Sequence, residues 1–276
     1  MNPHEIAPSS PMAMVRSAWR NKTIIRKMTV REVVGRYRGS LFGIAWSFFN
    51  PILLLVVYTF IFGVVFKSRW GATQSPDHGE FALIIFSGMI VHGLFAECFN
   101  RAPSIILSNP NYVKKIVFPL EILPLVSFGA ALFHTCVSCI VLLCAIIMIK
   151  GAVPLTALLL PVVLFPLSLF TIGCAWFLAA TGVYLRDISQ VTSILTTIMM
   201  FLCPMFYPIT AIPEDYRSLL YLNPLTLIIE STRDVLIWGT LPSFAHLATY
   251  FMLSLVVACT GFWWFQKTRK GFADVL

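Results

Sequence analysis

His92, Glu97, Glu121 and His134 are the ionisable side chains set deepest among apolar neighbours, so any chemistry begins with them. At membrane depth such groups mark proton relays or ion paths. Here each reads as isolated, and Glu97 and Glu121 lie near the ends of apolar runs. Two readings therefore stand: a part in transport, or hydrogen bonds between helices and placement at an interface. Cys136 and Cys139 have the spacing of two metal ligands, but no second pair accompanies them, and they read as helix packing. No Lys follows a Gly, which removes a GK[ST] phosphate loop, and no HExxH is present. The residues name no catalytic group and no metal site.

Aromatic side chains carry more. Trp46, Phe48, Phe49, Tyr58, Phe60, Phe62, Phe66 and Trp70 crowd one apolar run and its far end. Phe201, Phe206 and Tyr207 close another run, and Trp263, Trp264 and Phe265 a third. An interfacial belt accounts for those at run ends, Trp70, Trp263 and Trp264 among them. Tyr58 and Phe62, mid-run and four apart, with Phe66 one turn on, fit instead a channel wall on which sugar rings stack.

The elements that position these groups follow from composition. Of 276 residues, 58% are hydrophobic and 12% charged, against roughly 25% charged in soluble domains. That is the composition of a polytopic membrane protein. The net charge of +8 does not form a nucleic-acid stripe; the cations cluster at the ends of charge-free runs. All seven cysteines lie in apolar segments, which argues against a disulfide framework. The polar first residues show no cleavable-signal pattern.

Thr29-Val30-Arg31-Glu32 reads as a capping box opening a basic amphipathic surface helix. Gly35, Gly39 and Gly43 would share one strip of it, open to a close-packed backbone. Gly39 to Phe66 contains no Asp, Glu, Lys or Arg, long enough to cross a bilayer after a bend near Asn50-Pro51. Residues 1 to 15 read as a loose arm, and Arg16 to Met28, with five cations and Trp19, as a second surface helix or its leader. The spans are expected near 46–66, 81–99, 122–149, 155–183, 188–206 and 246–265. Leu219 to Ile229, too short to cross and broken at Asn223-Pro224, reads as half-helices that dip in and return or lie at the outer surface. With six spans and both termini cytoplasmic, fifteen of the 20 Lys/Arg face the cytoplasm, as the positive-inside rule asks. The expected fold is thus all-α: six transmembrane helices, an N-terminal amphipathic interface helix, and re-entrant half-helices between spans 5 and 6. The loop Ser108 to Pro119 is either a topology anchor or a proline-bounded helical turn that docks into a groove of a cytoplasmic partner.

Four stretches together resemble the membrane permease of type-2 ABC exporters, in the polysaccharide branch that exports O-antigen, capsule and teichoic acid. They are residues 31–66, 108–125, 184–210 and 221–239, and the closing FADVL (272–276) is similar too. The resemblance covers nearly everything after residue 28, leaving 1–28 as a cytoplasmic arm and 29–276 as one permease domain. It implies a homodimer paired with two copies of a separate ATPase subunit, which would bind ATP and Mg; this chain would hold no cofactor and be no enzyme. It implies that Arg31, Glu32, Arg36 and Arg38 lie on the interface helix. Asn111, Tyr112, Lys114 and Lys115 would form a coupling helix seated on the ATPase, with Arg186 and Asp187 at the cytoplasmic end of span 5. Phe206, Tyr207, Pro208, Asn223 and Pro224 would form an outer gate. Cys203 departs from the Ser that similar chains often carry before the first Pro of that gate. The implied cargo is a lipid-linked glycan moved across a bacterial inner membrane, sliding along Tyr58, Phe62 and Phe66. A drug or lipid exporter of the same superfamily is the alternative. A secondary transporter acting alone would need paired mid-membrane charges and repeats; a membrane enzyme would need clustered acids, histidines or metal ligands.

Overall fold

A computed structural model describes residues 10–65, 78–114 and 118–275, apart from the side chains of Gly63, Val64, His78 and Lys114. Every regular element among them is helical. The chain runs α1 (Pro11–Arg20), α2 (Lys22–Arg36), α3 (Trp46–Tyr58), α4 (His78–Arg101), α5 (Pro110–Lys114) and α6 (Ile122–Lys150). It continues through α7 (Leu160–Tyr184), α8 (Ile188–Leu202), α9 (Glu214–Tyr221), α10 (Pro224–Arg233), α11 (Phe244–Thr268) and α12 (Phe272–Val275).

Five segments are long and apolar enough to cross a membrane: Gly43–Phe62, Gly79–Ser104, Ile122–Lys150, Leu155–Tyr184 and Phe244–Val275. These account for the expected spans 1, 2, 3, 4 and 6, so the chain is a multi-pass membrane protein. The stretch read as span 5 differs. Its helix α8 stops at Leu202, and its 15 residues rise about 22 Å, short of the roughly 30 Å hydrocarbon core. Cys203 turns extended, at φ −98° and ψ 154°, because the ring of Pro204 disfavours the helical region for the residue before it.

The N-terminal region departs from the sequence reading, and the reasons are local. Helix α2 runs unbroken through Thr29, so no capping box forms. The Thr29 hydroxyl lies 3.5 Å from the Val126 carbonyl on α6, and Glu32 pairs with Arg101 on α4 instead. A Cβ added at Gly129 would meet Thr29 at 2.8 Å, so glycine on α6 is what lets α2 lie so close. The bend into the first span is made by glycine rather than by Pro51. Gly39 and Gly43 take φ of +86° and +52°, a region glycine enters without a Cβ clash. Neither they nor Gly35 meets another backbone within 4 Å of where a Cβ would be; the glycine strip ends a helix and is no packing seam. Pro11 to Val15, read as loose arm, open helix α1 with Met14 buried, while Arg16 to Met28 is largely helical as its reading had it.

Helix α4 is the most enclosed of the five segments and packs on α3, α6, α7, α8 and α10. Around it Leu83, Val91, Leu94, Phe95, Leu167 and Ile229 form the main core. A second core lies where Met14 of α1, Leu123 of α6, Trp176 of α7, Phe262 of α11 and Phe272 of α12 meet. Helices α7 and α11 pack closest: a Cβ on Gly261 would stand 2.1 Å from the Gly173 carbonyl oxygen. The break read at Asn223-Pro224 is present, since it separates α9 from α10.

Candidate functional site

Two constellations form. The first gathers residues from α1, α2, α4, α5, the start of α6 and the end of α11. Arg31 on α2 donates to the Tyr112 hydroxyl on α5 at 2.9 Å, and the Tyr112 ring stacks on Phe118 with centroids 4.5 Å apart. Next to Arg31 on α2, Glu32 pairs with Arg101, and one turn further on Arg36 pairs with Glu97, both partners on α4. Sequence spacing of four and five residues on α2 thus becomes three contacts on two different elements. Tyr37, just past the helix, reaches His134 Nδ1 at 3.3 Å, and burial raises its phenol above the ordinary value, keeping it protonated.

The partners of Glu97 and Glu121 correct the reading of both as isolated. Glu121 is held by Arg269 on α11 at 2.9 Å and by the Ser17 hydroxyl on α1 at 2.9 Å. Sequence separation hid these pairs, because each joins residues more than sixty positions apart. His92 Nε2 lies 3.1 Å from the Thr196 carbonyl on α8, a bond between helices.

Arg38 and Asn111 are exposed beside this network. The Lys114 side chain and all of Lys115 lie outside the described residues. Arg186 and Asp187 are exposed at the entrance to α8, where Asp187 occupies the N-cap position without a side-chain cap bond. No ion pair joins the two or ties them to the Arg31–Tyr112 network among the described residues.

The second constellation is aromatic. Phe62 lies 6.3 Å from Tyr58, 5.6 Å from Phe81 on α4, and 6.2 Å, stacked, from Phe206. Phe206 in turn lies 6.2 Å from Phe201 of α8. The expected wall and the expected gate, far apart in sequence, are therefore one continuous set of rings. Phe62 stands in a π-helical turn, Thr59–Val65, that extends α3; Phe66, the third wall residue, lies outside the described residues. Tyr207 donates to the Phe201 carbonyl at 2.8 Å, and Pro208 is extended, leading into the short turn Ile209–Ala211. Asn223 caps α10 by accepting from Leu225 N–H at 3.0 Å and donates to the Met199 carbonyl at 2.8 Å. Pro224 follows at the first helical position, where its missing N–H costs nothing.

The residue that sequence reasoning missed is Arg233. Its side chain is fully buried. It donates to the carbonyls of Pro204 at 2.6 Å, Met205 at 3.1 Å and Ile84 at 3.3 Å, and pairs with Glu230 at 2.7 Å. A planar guanidinium with a fork of donors suits such convergent acceptors. Gly88 makes room, for a Cβ there would lie 3.3 Å from Arg233 Nη2. The irregular Cys203–Met205 stretch, whose Pro204 and Met205 carbonyls accept from Arg233, is tied through this one side chain to α4 and α10. The signal was available: Glu230 and Arg233, three apart, are charges inside an apolar run. Among the described residues no three His, Cys, Asp or Glu side chains gather as a metal site would.

Residues 23–237 match the family model described as ABC-2 type transporter. The O-antigen export system permease protein RfbA of Myxococcus xanthus is 29% identical over 264 residues, 95% of this chain and 98% of that protein. A protein of the same name from Klebsiella pneumoniae is 25% identical over 251 residues, 90% of this chain and 93% of its own length. The polysialic acid transport protein KpsM of Escherichia coli is 25% identical over 256 residues, covering 90% and 95%. The four stretches thus pointed to the family that the match identifies, and these relatives fall in the polysaccharide branch expected from them.

Proposed function

The chain belongs to the ABC-2 type transporter family, and from that premise we propose that it is the transmembrane subunit of an ATP-driven exporter of lipid-linked polysaccharide. The observation that carries the reading is the contact of Tyr58 with Phe62 and the stacking of Phe62 on Phe206, a run of rings from the first span to the proposed outer gate. Sugar faces stack on such rings without demanding one hydroxyl pattern, which suits a polymer passing residue by residue. The O-antigen and polysialic acid export names of the relatives support the same cargo class.

In this reading two copies form the conduit across a bacterial inner membrane, with both termini cytoplasmic. The exposed apolar faces of α3 (Phe49, Leu53, Val56) and α8 (Ile194, Ile198, Phe201) support that pairing. Helix α8 with the Cys203–Pro208 stretch makes the sixth crossing, and α9 and α10 are the half-helices at the outer side. Two copies of a separate ATPase subunit bind ATP and Mg and seat the α5 coupling helix; α2 is the interface helix. ATP-driven closure pushes α5, and the Arg31–Tyr112 bond and the α2–α4 ion pairs carry the movement to the spans. The glycan's pyrophosphate is drawn to the basic surface of Arg31, Arg36 and Arg38.

The test is to delete the gene and fractionate the cell envelope. Lipid-linked polymer retained inside with none at the surface supports the reading. Normal surface glycan overturns it and moves the assignment to the drug or lipid exporters of the superfamily.

A further inference from the structure

A cavity of about 360 Å³ lies between α1, the start of α6 and the end of α11, at the edge of the first constellation beside its Glu121–Arg269 pair. Arg16, Arg20 and Arg269 line it against one carboxylate, Glu121, and that carboxylate is already engaged by Arg269 and Ser17. Two cations therefore remain in excess. Arg16 and Arg20 are one turn apart on α1, and neither pairs with a carboxylate among the described residues. Like charges at that spacing repel on a bare helix, and an anion between them removes the repulsion. Gln266 also lines the cavity. Its side chain is nine-tenths buried, yet its Oε1 has no hydrogen-bond partner. A buried acceptor left unpaired is costly, so this site is one donor short.

The surroundings say where the ligand comes from. Met12, Val15 and Trp19 form an exposed apolar stripe along α1, which suits a helix lying in the membrane interface with its cations at phosphate level. Phe262 and Ala13 supply an apolar wall to the cavity. We propose that this cavity is a binding site for the headgroup of a glycerophospholipid. Its phosphodiester accepts from Arg16 and Arg20, and a headgroup hydroxyl donates to Gln266 Oε1. The bound lipid staples α1 to α6 and α11, beside the Glu121–Arg269 pair and apart from the glycan path.

Native mass spectrometry of the full-length protein, titrated with dioleoylphosphatidylglycerol, tests this. Arg16→Gln with Arg20→Gln should weaken that lipid about thirtyfold, since each surface cation contributes roughly a fivefold increment. Arg26→Gln with Lys27→Gln removes the same charge from α2 and should leave binding unchanged. Gln266→Leu should abolish the preference for phosphatidylglycerol over phosphatidylmethanol, which carries the same charge but has no headgroup hydroxyl to donate. Equal lipid binding by wild type and the Arg16/Arg20 variant overturns the site. A Gln266→Leu protein that keeps the preference overturns the hydroxyl contact. Displacement of the lipid by inorganic phosphate at equal concentration overturns the lipid source and assigns the site to a soluble phosphate.

Discussion

Arg233 shows how much one side chain can decide. It neutralises Glu230, satisfies the carbonyls of Pro204 and Met205, which lie outside any helix, and reaches a third, that of Ile84 on α4. Arg233→Ala leaves those acceptors and a partly buried carboxylate unpaired, and should destabilise the protein by about 3–5 kcal/mol. The readout is the thermal unfolding midpoint of the purified protein. Arg233→Lys keeps the charge but not the fork, so it should fall between the two. The rings act differently. Tyr58→Ala with Phe62→Ala should slow export several-fold while the amount of protein in the membrane stays unchanged, because both side chains are only partly buried. Surface glycan measured per copy of protein checks this; an unchanged rate would remove the stacking wall. The acids singled out from the sequence gained distant cations, Arg36 and Arg269, and the histidines gained the Thr196 carbonyl and the Tyr37 hydroxyl.

At the level of elements, small residues set the packing. Helices α7 and α11 touch through Gly173 and Gly261, where no side chain fits. In lipid, close backbone approach is what holds helices together, since burial of apolar surface gives little advantage over lipid tails. Gly261→Val should therefore sharply lower the yield of folded, detergent-stable protein, whereas Cys259→Ala, two residues away and only partly buried, should not. The short α5 packs beside α12, and its Tyr112 adds two specific contacts, the stack on Phe118 and the bond from Arg31. Tyr112→Phe keeps the stack and loses the bond. If α5 transmits movement, that variant should leave ATP hydrolysis by the assembled exporter near wild type and reduce export. Parallel assays of the two activities separate uncoupling from loss of assembly.

For the whole molecule, the first span stands out because so little of it is covered by its own chain. Phe48, Ile52, Leu53, Val56 and Val57 on α3 are exposed, as are Val191, Ile194 and Ile198 on α8. With a second copy covering these faces, Val57→Cys and Ile198→Cys variants should give disulfide-linked dimers in membranes, and a cysteine at Leu155, exposed on the linker before α7, should not. Absence of any α3 or α8 crosslink would argue for a different pairing surface.

Composition and run length, with no tertiary information, determined that the chain is helical and membrane-embedded, where five spans lie, and that Asn223-Pro224 breaks its segment. Each follows from a local rule: charge is excluded from hydrocarbon, a span needs a minimum length, and proline interrupts a helix. The four ordered stretches likewise named the family. Local rules failed where a distant partner outbid them. Thr29 and Glu32 look like a cap, but α6 and α4 offer them other partners, so α2 begins at Lys22. The bend after α2 fell to glycines whose positive φ no spacing rule foretold. Glu97 with Arg36, Glu121 with Arg269, Phe62 with Phe206 and Arg233 with the Pro204 carbonyl are all contacts between elements. Only tertiary packing decided these, because which helix faces which depends on the shapes of whole surfaces and not on any single stretch of sequence.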